Sequence, residues 1–172
     1  MRFGLVICGL LLALACQESQ SEDAIFHPAG QRALKPAGAQ ADALTVSGEV
    51  YVPIYSNVYW GRSGGVMEIS ATLSVRNVDA RRPLVLTHVD YYDSRGKLIR
   101  KYLDAPVLLD PMGTVEWMID VHDTEGGSGA NFIVGWGAQG PIARPVMEAI
   151  MLAGSRGISF VSQGRPVEVV GE

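Results

Sequence analysis

The chain has 172 residues, of which 14 are Lys or Arg and 18 are Asp or Glu, giving a formal net charge of −4. This acidic balance, without a basic stripe, argues against nucleic-acid binding, because phosphate recognition requires clustered Lys and Arg. The two cysteines, Cys8 and Cys16, both lie near the N-terminus. A domain built from the rest of the chain therefore has no disulfide and depends on its hydrophobic core.

The first fifteen residues have the pattern of an export signal. Arg2 precedes an apolar run from Phe3 to Ala15, which is too short to span a bilayer as a helix. The segment Leu12-Ala13-Leu14-Ala15-Cys16 resembles the lipobox of bacterial lipoproteins, in which the Cys is lipidated and becomes the new N-terminus. We therefore predict a cleaved signal at residues 1–15, a lipid on Cys16 and a location at the bacterial cell envelope.

Residues 16–45 are poor in large apolar residues and rich in Ala, Gln, Gly and Pro. This composition predicts a flexible linker between the lipid and a folded domain at residues 46–172. Gln17, rather than Asp, follows Cys16. By resemblance to lipoproteins of diderm bacteria, that residue implies an outer-membrane anchor with the domain facing the periplasm.

From about residue 46 onward, short β-branched and aromatic runs are separated by Gly, Pro, Asp and Ser, the spacing of an all-β sandwich or barrel. Met67 to Arg76 and Thr114 to Val121 alternate apolar with polar residues, so both are predicted to be strands that share one core. Leu84 to Tyr92 and Lys97 to Leu103 flank a turn that contains Gly96 and are predicted to form a hairpin.

The remaining segments are less regular. Phe132 to Ala138 is predicted to be a strand with a bulge or a close neighbouring backbone at Gly135 and Gly137. Pro145 to Leu152 is ambiguous and allows a short helix. The chain then ends in two more predicted strands joined by a turn: Ile158 to Val161, Gln163-Gly164, and Val167 to Val170. Together these elements predict an antiparallel β-sandwich of immunoglobulin-like architecture.

Five segments carry a resemblance to a known family: Tyr51 to Ser56, Ala71 to Asn77, Tyr91 to Asp93, Asp123 to Phe132, and Gly157 to Ser162. They resemble an uncharacterised family of exported bacterial proteins, catalogued as a domain of unknown function, family 3124. The resemblance extends from about Val50 to Val169, and its most specific part is the Gly-rich segment. It implies no activity, because none is assigned to the family.

The Gly-rich segment is the first candidate for chemistry. Gly126-Gly127-Ser128-Gly129-Ala130 nearly matches the G-x-S-x-G of a nucleophile elbow, but a strand rather than a helix is predicted to follow it. An anion-binding nest would also need a following helix or a supporting Lys. We favour a loop between strands, with Asp123 and Asn131 bonding to local backbone groups. Such a loop is long enough to carry a binding function.

Metal binding or hydrolysis is the alternative class of function. His88 and Asp90 share one face of a predicted strand, and His122-Asp123 could approach from another. The methionines show no Met-x-Met or His-x-Met pattern that would gather soft ligands. An envelope metal carrier or hydrolase using His88, His122 and Ser128 would require these side chains to converge.

An aromatic segment is the second binding candidate. Tyr51, Tyr55 and Tyr59 are spaced by four, so they share a side if the segment is extended, and Trp60 follows directly. Aromatic side chains with a polar tip suit glycan or protein partners. Core filling is the simpler interpretation of the same residues.

The sequence therefore favours a lipid-anchored binding or assembly module of the envelope over an enzyme. The expected partners are the membrane, through the lipid on Cys16, and an envelope protein or glycan. No catalytic residue, metal or cofactor is assigned. The candidate binding residues are Tyr51, Tyr55, Tyr59, Trp60, Asp123, Gly126, Gly127, Ser128, Gly129 and Asn131.

Overall fold

The computed structural model describes residues 34–154 and 157–168. The predicted signal at residues 1–15, the predicted lipidation site Cys16 and most of the predicted linker lie outside these ranges, as do Val169 and Val170 of the last predicted strand. No helix within the described ranges has the length and apolarity that a membrane crossing requires.

The described residues form thirteen strands and short 3₁₀ helices at Gly38–Gln40 and Gly127–Gly129. The strands are β1 (Lys35–Pro36), β2 (Val46–Pro53), β3 (Asn57–Trp60), β4 (Gly65–Glu68), β5 (Ser70–Arg76), β6 (Leu84–Tyr92), β7 (Leu98–Lys101), β8 (Val107–Leu109), β9 (Thr114–Ile119), β10 (Asn131–Ala138), β11 (Val146–Ala153), β12 (Ile158–Gln163) and β13 (Arg165–Pro166).

Two large sheets face each other. The seven-stranded sheet has the order β1-β8-β6-β10-β2-β13, with β7 also paired to β6, and the four-stranded sheet has the order β12-β11-β5-β9. Their inner faces form one core that includes Val52, Leu73, Trp117, Phe132 and Met151. All strand pairs are antiparallel. The predicted all-β antiparallel sandwich is confirmed, with more strands than the seven of a constant-type immunoglobulin domain.

Alternation of apolar and polar residues explains the central strands. Leu73 of β5 lies opposite Trp117 of β9, and both side chains are buried, so these two strands share a core as predicted. The single strand predicted from Met67 to Arg76 is wrong, because the chain breaks at Ile69 into β4 and β5. The Ile69 N–H donates to the Ser56 carbonyl at 2.9 Å, and β4 turns aside to pair with β3 as a separate hairpin.

The predicted hairpin of β6 and β7 is confirmed, and its turn has a clear chemical basis. The Asp93 carboxylate accepts hydrogen bonds from the N–H groups of Arg95 and Lys97 at 2.8 and 2.9 Å. Gly96 takes φ 77°, which glycine adopts without steric strain. These backbone hydrogen bonds favour the charged carboxylate and lower the pKa of Asp93.

The predicted irregularity in β10 is also confirmed. The register between β10 and β6 shifts between Gly135 and Trp136, leaving Thr87 as the extra residue on β6. A Cβ added to Gly135 would lie 2.2 Å from the His88 ring and 2.3 Å from the Thr87 hydroxyl. Any side chain at Gly135 would therefore force the His88 and Thr87 side chains to move.

The structure resolves the ambiguous segment from Pro145 to Leu152. It contributes β11, whose residues Met147, Ala149 and Met151 are buried, and forms no helix. Gly164 carries the chain from β12 in the four-stranded sheet to β13 in the seven-stranded sheet. The last predicted strand is wrong in its described part, because strand pairing falls at Arg165–Pro166 and not at Val167 and Glu168.

The folded domain begins before residue 46. β1 pairs with β8, the Ala37 N–H donates to the Pro106 carbonyl at 2.9 Å, and Ala37 itself is buried. The predicted boundary at residue 45 is therefore too late, because residues 35–37 already belong to the folded domain.

Candidate functional site

The pairing of β2 with β10 defines two ends of the sandwich. Asn131 lies opposite Pro53 where the Gly-rich loop runs into β10, and we call this the loop end. Ala138 lies opposite Val46 where a pocket opens between the sheets, and we call this the pocket end. Eight-residue strands with a rise of about 3.3 Å per residue separate the two ends by roughly 25 Å.

The Gly-rich loop is fixed at the loop end by a serine that no motif had indicated. The Ser94 hydroxyl donates to the Gly126 carbonyl at 2.8 Å and accepts from the Gly129 N–H at 2.9 Å. The Ser94 N–H donates to the same Gly126 carbonyl at 3.0 Å, and the Ser56 N–H donates to the Gly127 carbonyl at 3.0 Å. The loop therefore has a defined shape, in keeping with the predicted strand connection.

Gly126 lies against a buried tyrosine. A Cβ added to Gly126 would lie 2.1 Å from the Tyr91 hydroxyl oxygen, so no other residue fits without movement. The Tyr91 and Ser56 hydroxyls are hydrogen-bonded at 3.0 Å, and both side chains are fully buried. Burial raises the pKa of Tyr91 to about 12, so its phenol is neutral at physiological pH.

The structure does not bring together the residues of the hydrolase and metal-carrier alternative. In the described residues, Ser128 forms no hydrogen bond with a histidine, and β10 follows its loop as a strand. His88 Nε2 lies 3.3 Å from Glu49 Oε1, whereas His122 Nδ1 lies 3.9 Å from Glu68 Oε2. Across residues 34–154 and 157–168, no three His, Cys, Asp or Glu residues form a group that could hold a metal ion.

Asp123 makes a contact that the sequence did not indicate. Its Oδ2 accepts a hydrogen bond from Arg100 Nη2 at 3.1 Å, in place of the predicted bonds to local backbone. Arg100 also donates to the Tyr102 hydroxyl at 3.0 Å, and burial raises the pKa of Tyr102. Asp123 Oδ1 is buried and has no hydrogen-bond partner among the described residues. Arg100 of β7 therefore connects Asp123 with Tyr102, which directly follows β7.

The aromatic segment divides between two environments. β2 ends at Pro53 and β3 begins at Asn57, so the three tyrosines do not lie along one strand. Tyr55 packs edge-on against Phe160 with ring centroids 5.6 Å apart, in agreement with core filling. Tyr59 and Trp60 are 74% and 49% exposed, so core filling is wrong for them.

The β3–β4 hairpin presents these exposed aromatics on a fixed base. Tyr59 lies opposite Val66, and both are exposed on one face. Val58 lies opposite Met67 on the other face, and both pack against the core. Because the Gly-rich loop is hydrogen-bonded to Ser56, immediately before β3, the two predicted binding segments are neighbours at the loop end.

The pocket end contains a pocket whose lining residues the sequence analysis had not proposed as a site. A pocket of about 470 Å³ opens between the sheets, within the size range of small-molecule sites. Its walls include Val50 and Trp136 from the seven-stranded sheet and Met147 from the four-stranded sheet. A sequence signal was present at Gly48, an inward-facing position of β2 where the absence of a side chain lets the Trp136 indole pack against the backbone.

Hydrogen bonds hold both sides of this pocket. On one side, Asp79 Oδ2 accepts from the Ala143 N–H at 3.3 Å, and Arg82 donates to the Pro141 carbonyl. Asp79 also accepts the N–H groups of Arg81 and Arg82, and these backbone hydrogen bonds lower its pKa. The C-terminal segment closes the other side, because the Val167 N–H donates to the Glu49 carbonyl at 2.9 Å.

These features define an antiparallel β-sandwich with a fixed Gly-rich loop at one end and an interlayer pocket at the other. The chain belongs to the family described as Protein of unknown function (DUF3124), whose model matches residues 47–167. That range begins in β2 and ends just after β13, so it includes both ends of the sandwich. The family resemblance predicted from the sequence is confirmed.

Other comparisons add little. No curated protein matches the chain. Among solved structures, the crystal structure of Thermotoga maritima 1070 is similar, with 11% sequence identity, a TM-score of 0.38, and coverage of 71% of this chain and 96% of that one. A TM-score of this size supports no conclusion about shared fold or function.

Proposed function

We propose that this protein is a lipid-anchored binding or assembly module of the bacterial cell envelope, held at a membrane by a lipid on Cys16 and acting without catalytic activity. In a diderm cell the anchor would lie in the outer membrane, with the domain facing the periplasm. The observation that carries the binding role is the exposure of two aromatics on the β3–β4 hairpin, beside a fixed Gly-rich loop: Tyr59 lies on the face that it shares with Val66, and Trp60 lies on the opposite face, across from Gly65.

The physical argument concerns entropy and contact area. Tyr and Trp supply large contact areas and lose few rotatable bonds on binding, which is why they dominate protein interfaces. The base of the hairpin is already ordered by Val58 and Met67 against the core. A partner that covers Tyr59 and Trp60 therefore gains apolar burial without having to order the surface first. An envelope protein or a glycan would use the same contacts.

The direction of β1 shows at which end of the sandwich the chain enters the folded domain. Lys35 lies opposite Leu108, and β1 runs parallel to β6, which starts at the pocket end with Leu84. The polypeptide therefore runs into the domain from the pocket end. An anchor on Cys16 would therefore join the domain at its pocket end and leave the loop end, with its exposed aromatics, at the opposite side.

The proposal is tested on full-chain protein purified from its own envelope in mild detergent. Native mass spectrometry followed by denaturation should reveal removal of residues 1–15, a triacylated Cys16 and a co-purifying partner. Tyr59→Ala with Trp60→Ala should weaken the partner at least tenfold, as expected for interface aromatics worth above about 1.4 kcal/mol.

Leu152→Ala is the matched control, because Leu152 is 47% exposed but lies on the outer face of the four-stranded sheet. It should leave the partner bound. An unmodified Cys16 would contradict the anchor. A partner retained by the double aromatic variant would contradict the binding surface.

A further inference from the structure

The pocket at the other end of the sandwich has the construction of a site for an aliphatic chain. Val50 and Met147 are core residues, so the pocket reaches the hydrophobic interior between the sheets. Ile142 and Pro145 continue the apolar wall on the loop side. This part of the wall offers water few hydrogen-bond partners and favours an apolar occupant, whereas Ser47, Glu49, Arg144 and Glu168 supply the polar part of the lining.

Trp136 gives the pocket a preformed shape. A Cβ added to Gly48 would lie 3.1 Å from the indole Nε1 and 3.2 Å from its ring carbons, so the absence of a side chain at Gly48 allows the ring to lie against β2. The bulge between Gly135 and Trp136 sets the position of this side chain. The neighbouring C-terminal segment is fixed by the Gly164 N–H, which donates to the Met147 carbonyl at 2.8 Å.

One cation, Arg144, and two carboxylates, Glu49 and Glu168, line the pocket, so an acidic head group could be held only at Arg144. Arg144 lines the pocket, is exposed, and has no hydrogen-bond or ion-pair partner among the described residues. Glu49 also lines the pocket, but its carboxylate lies 3.3 Å from His88 Nε2. Glu168 is the remaining charged lining residue and is exposed at the rim. Arg144 is therefore the cation available to a carboxylate.

We propose that this pocket binds a fatty acid, with one aliphatic chain between Trp136 and Met147 and its carboxylate at Arg144. The inference rests on the proposed function in one respect, because an anchor on Cys16 would bring the pocket end close to a bilayer that contains such lipids. The pocket of about 470 Å³ suits one chain of a single-chain lipid.

The test uses the full chain in vesicles of phosphatidylethanolamine and phosphatidylglycerol that contain palmitic acid with a diazirine in its tail. After illumination, peptide mass spectrometry locates the attached label, and the intact mass of the same sample reports any lipid on Cys16. The label should concentrate on peptides that contain Trp136 and Met147.

Four variants define the site. Ile142→Asp should lower pocket labelling at least about tenfold, because a carboxylate in the wall opposes an aliphatic chain. Arg144→Glu should lower it about threefold or more and Glu168→Gln should raise it, since the two changes move the local charge in opposite directions. Arg165→Glu is the matched control and should leave labelling unchanged, because Arg165 is exposed on β13 outside the pocket lining.

Arg144→Glu alters an exposed side chain, so it keeps the test valid if Ile142→Asp fails to fold. Labelling that is spread over the outer strands, or that is unchanged in Arg144→Glu, would overturn the fatty-acid site. If Cys16 carries a lipid but the pocket stays unlabelled, only this inference fails. If the pocket is labelled and Cys16 is unmodified, the anchor fails and the pocket site stands.

Discussion

The Tyr91 hydroxyl lies 3.0 Å from the Ser56 hydroxyl, and Gly126 packs directly against this pair. Tyr91 belongs to β6, Ser56 precedes β3, and Gly126 belongs to the Gly-rich loop. One buried hydrogen bond, with Gly126 packed against it, therefore brings together three distant parts of the chain. The glycine pattern that resembled a catalytic motif is therefore explained at Gly126 by close packing. The same contacts hold the loop in place beside the β3–β4 hairpin.

We expect Gly126→Ala to destabilise the protein by about 1–3 kcal/mol, because its new methyl group would overlap the Tyr91 hydroxyl and force the loop or the ring to move. The free energy of unfolding, measured in urea, reports the change. Gly154→Ala is the matched control, since a Cβ there meets no atom within 4 Å, and its effect should stay below about 0.5 kcal/mol. Equal effects from the two substitutions would show that close packing does not require Gly126.

Stability should fall at alkaline pH through Tyr91. The pKa of Tyr91 is raised in the folded state, so between about pH 10 and 12 the folded protein binds the proton that the unfolded chain has lost. This contribution is fully present below pH 10 and declines by at most about 1.4 kcal/mol per pH unit above it. Tyr91→Phe should lose about 1 kcal/mol at neutral pH, with the hydrogen bond to Ser56, and should show a shallower alkaline decline. Parallel declines in both proteins would contradict the assignment to Tyr91.

The ion pair of Arg100 and Asp123 should contribute modestly. The Arg100 side chain is 45% exposed, so solvent screening limits the coupling to about 1 kcal/mol or less, even though Asp123 is mostly buried. A double-mutant cycle of Arg100→Ala and Asp123→Ala, measured by urea unfolding, gives this coupling. It should decrease as salt is raised. A coupling that is absent at low salt would show that the 3.1 Å contact adds no stability.

Ala37→Asp should destabilise the domain by at least about 2 kcal/mol, because it places a carboxylate at a position that is 4% exposed. Ala39→Asp, two residues further on and exposed, is the matched control and should have little effect. Urea unfolding of the two variants compares them directly. If both were neutral, residues 34–45 would behave as the linker that their composition suggested.

Local pattern was sufficient for β5 and β9, but it left β11 ambiguous although that strand also has one buried face. The alternation around Leu73 and Val115 predicted β5 and β9 because side chains on a strand point to opposite faces with a period of two residues. The hairpin at Asp93 and Gly96 was predictable because turn chemistry is local. The resemblance to the uncharacterised family rested on the same local segments.

Tertiary structure decided the features that depend on residues distant in sequence. The sequence placed Asp123 in the Gly-rich loop but could not show Arg100 as its partner, since that contact depends on the packing of the β6–β7 hairpin. The exposure of Trp60 depends on the break at Ile69, after which β4 pairs with β3 as a separate hairpin with only Val58 and Met67 against the core.

The pocket also depends on residues that are distant in sequence. Its lining comes from β2, β10, the segment before β11 and the segment from Gly164 to Glu168, which no window of sequence contains together. By itself, the sequence determined that this chain forms an antiparallel β-sandwich of an uncharacterised family, because alternation and turns act over a few residues. Only the tertiary structure decided which end carries exposed aromatics and which carries a pocket, because both depend on how the two sheets pack against each other.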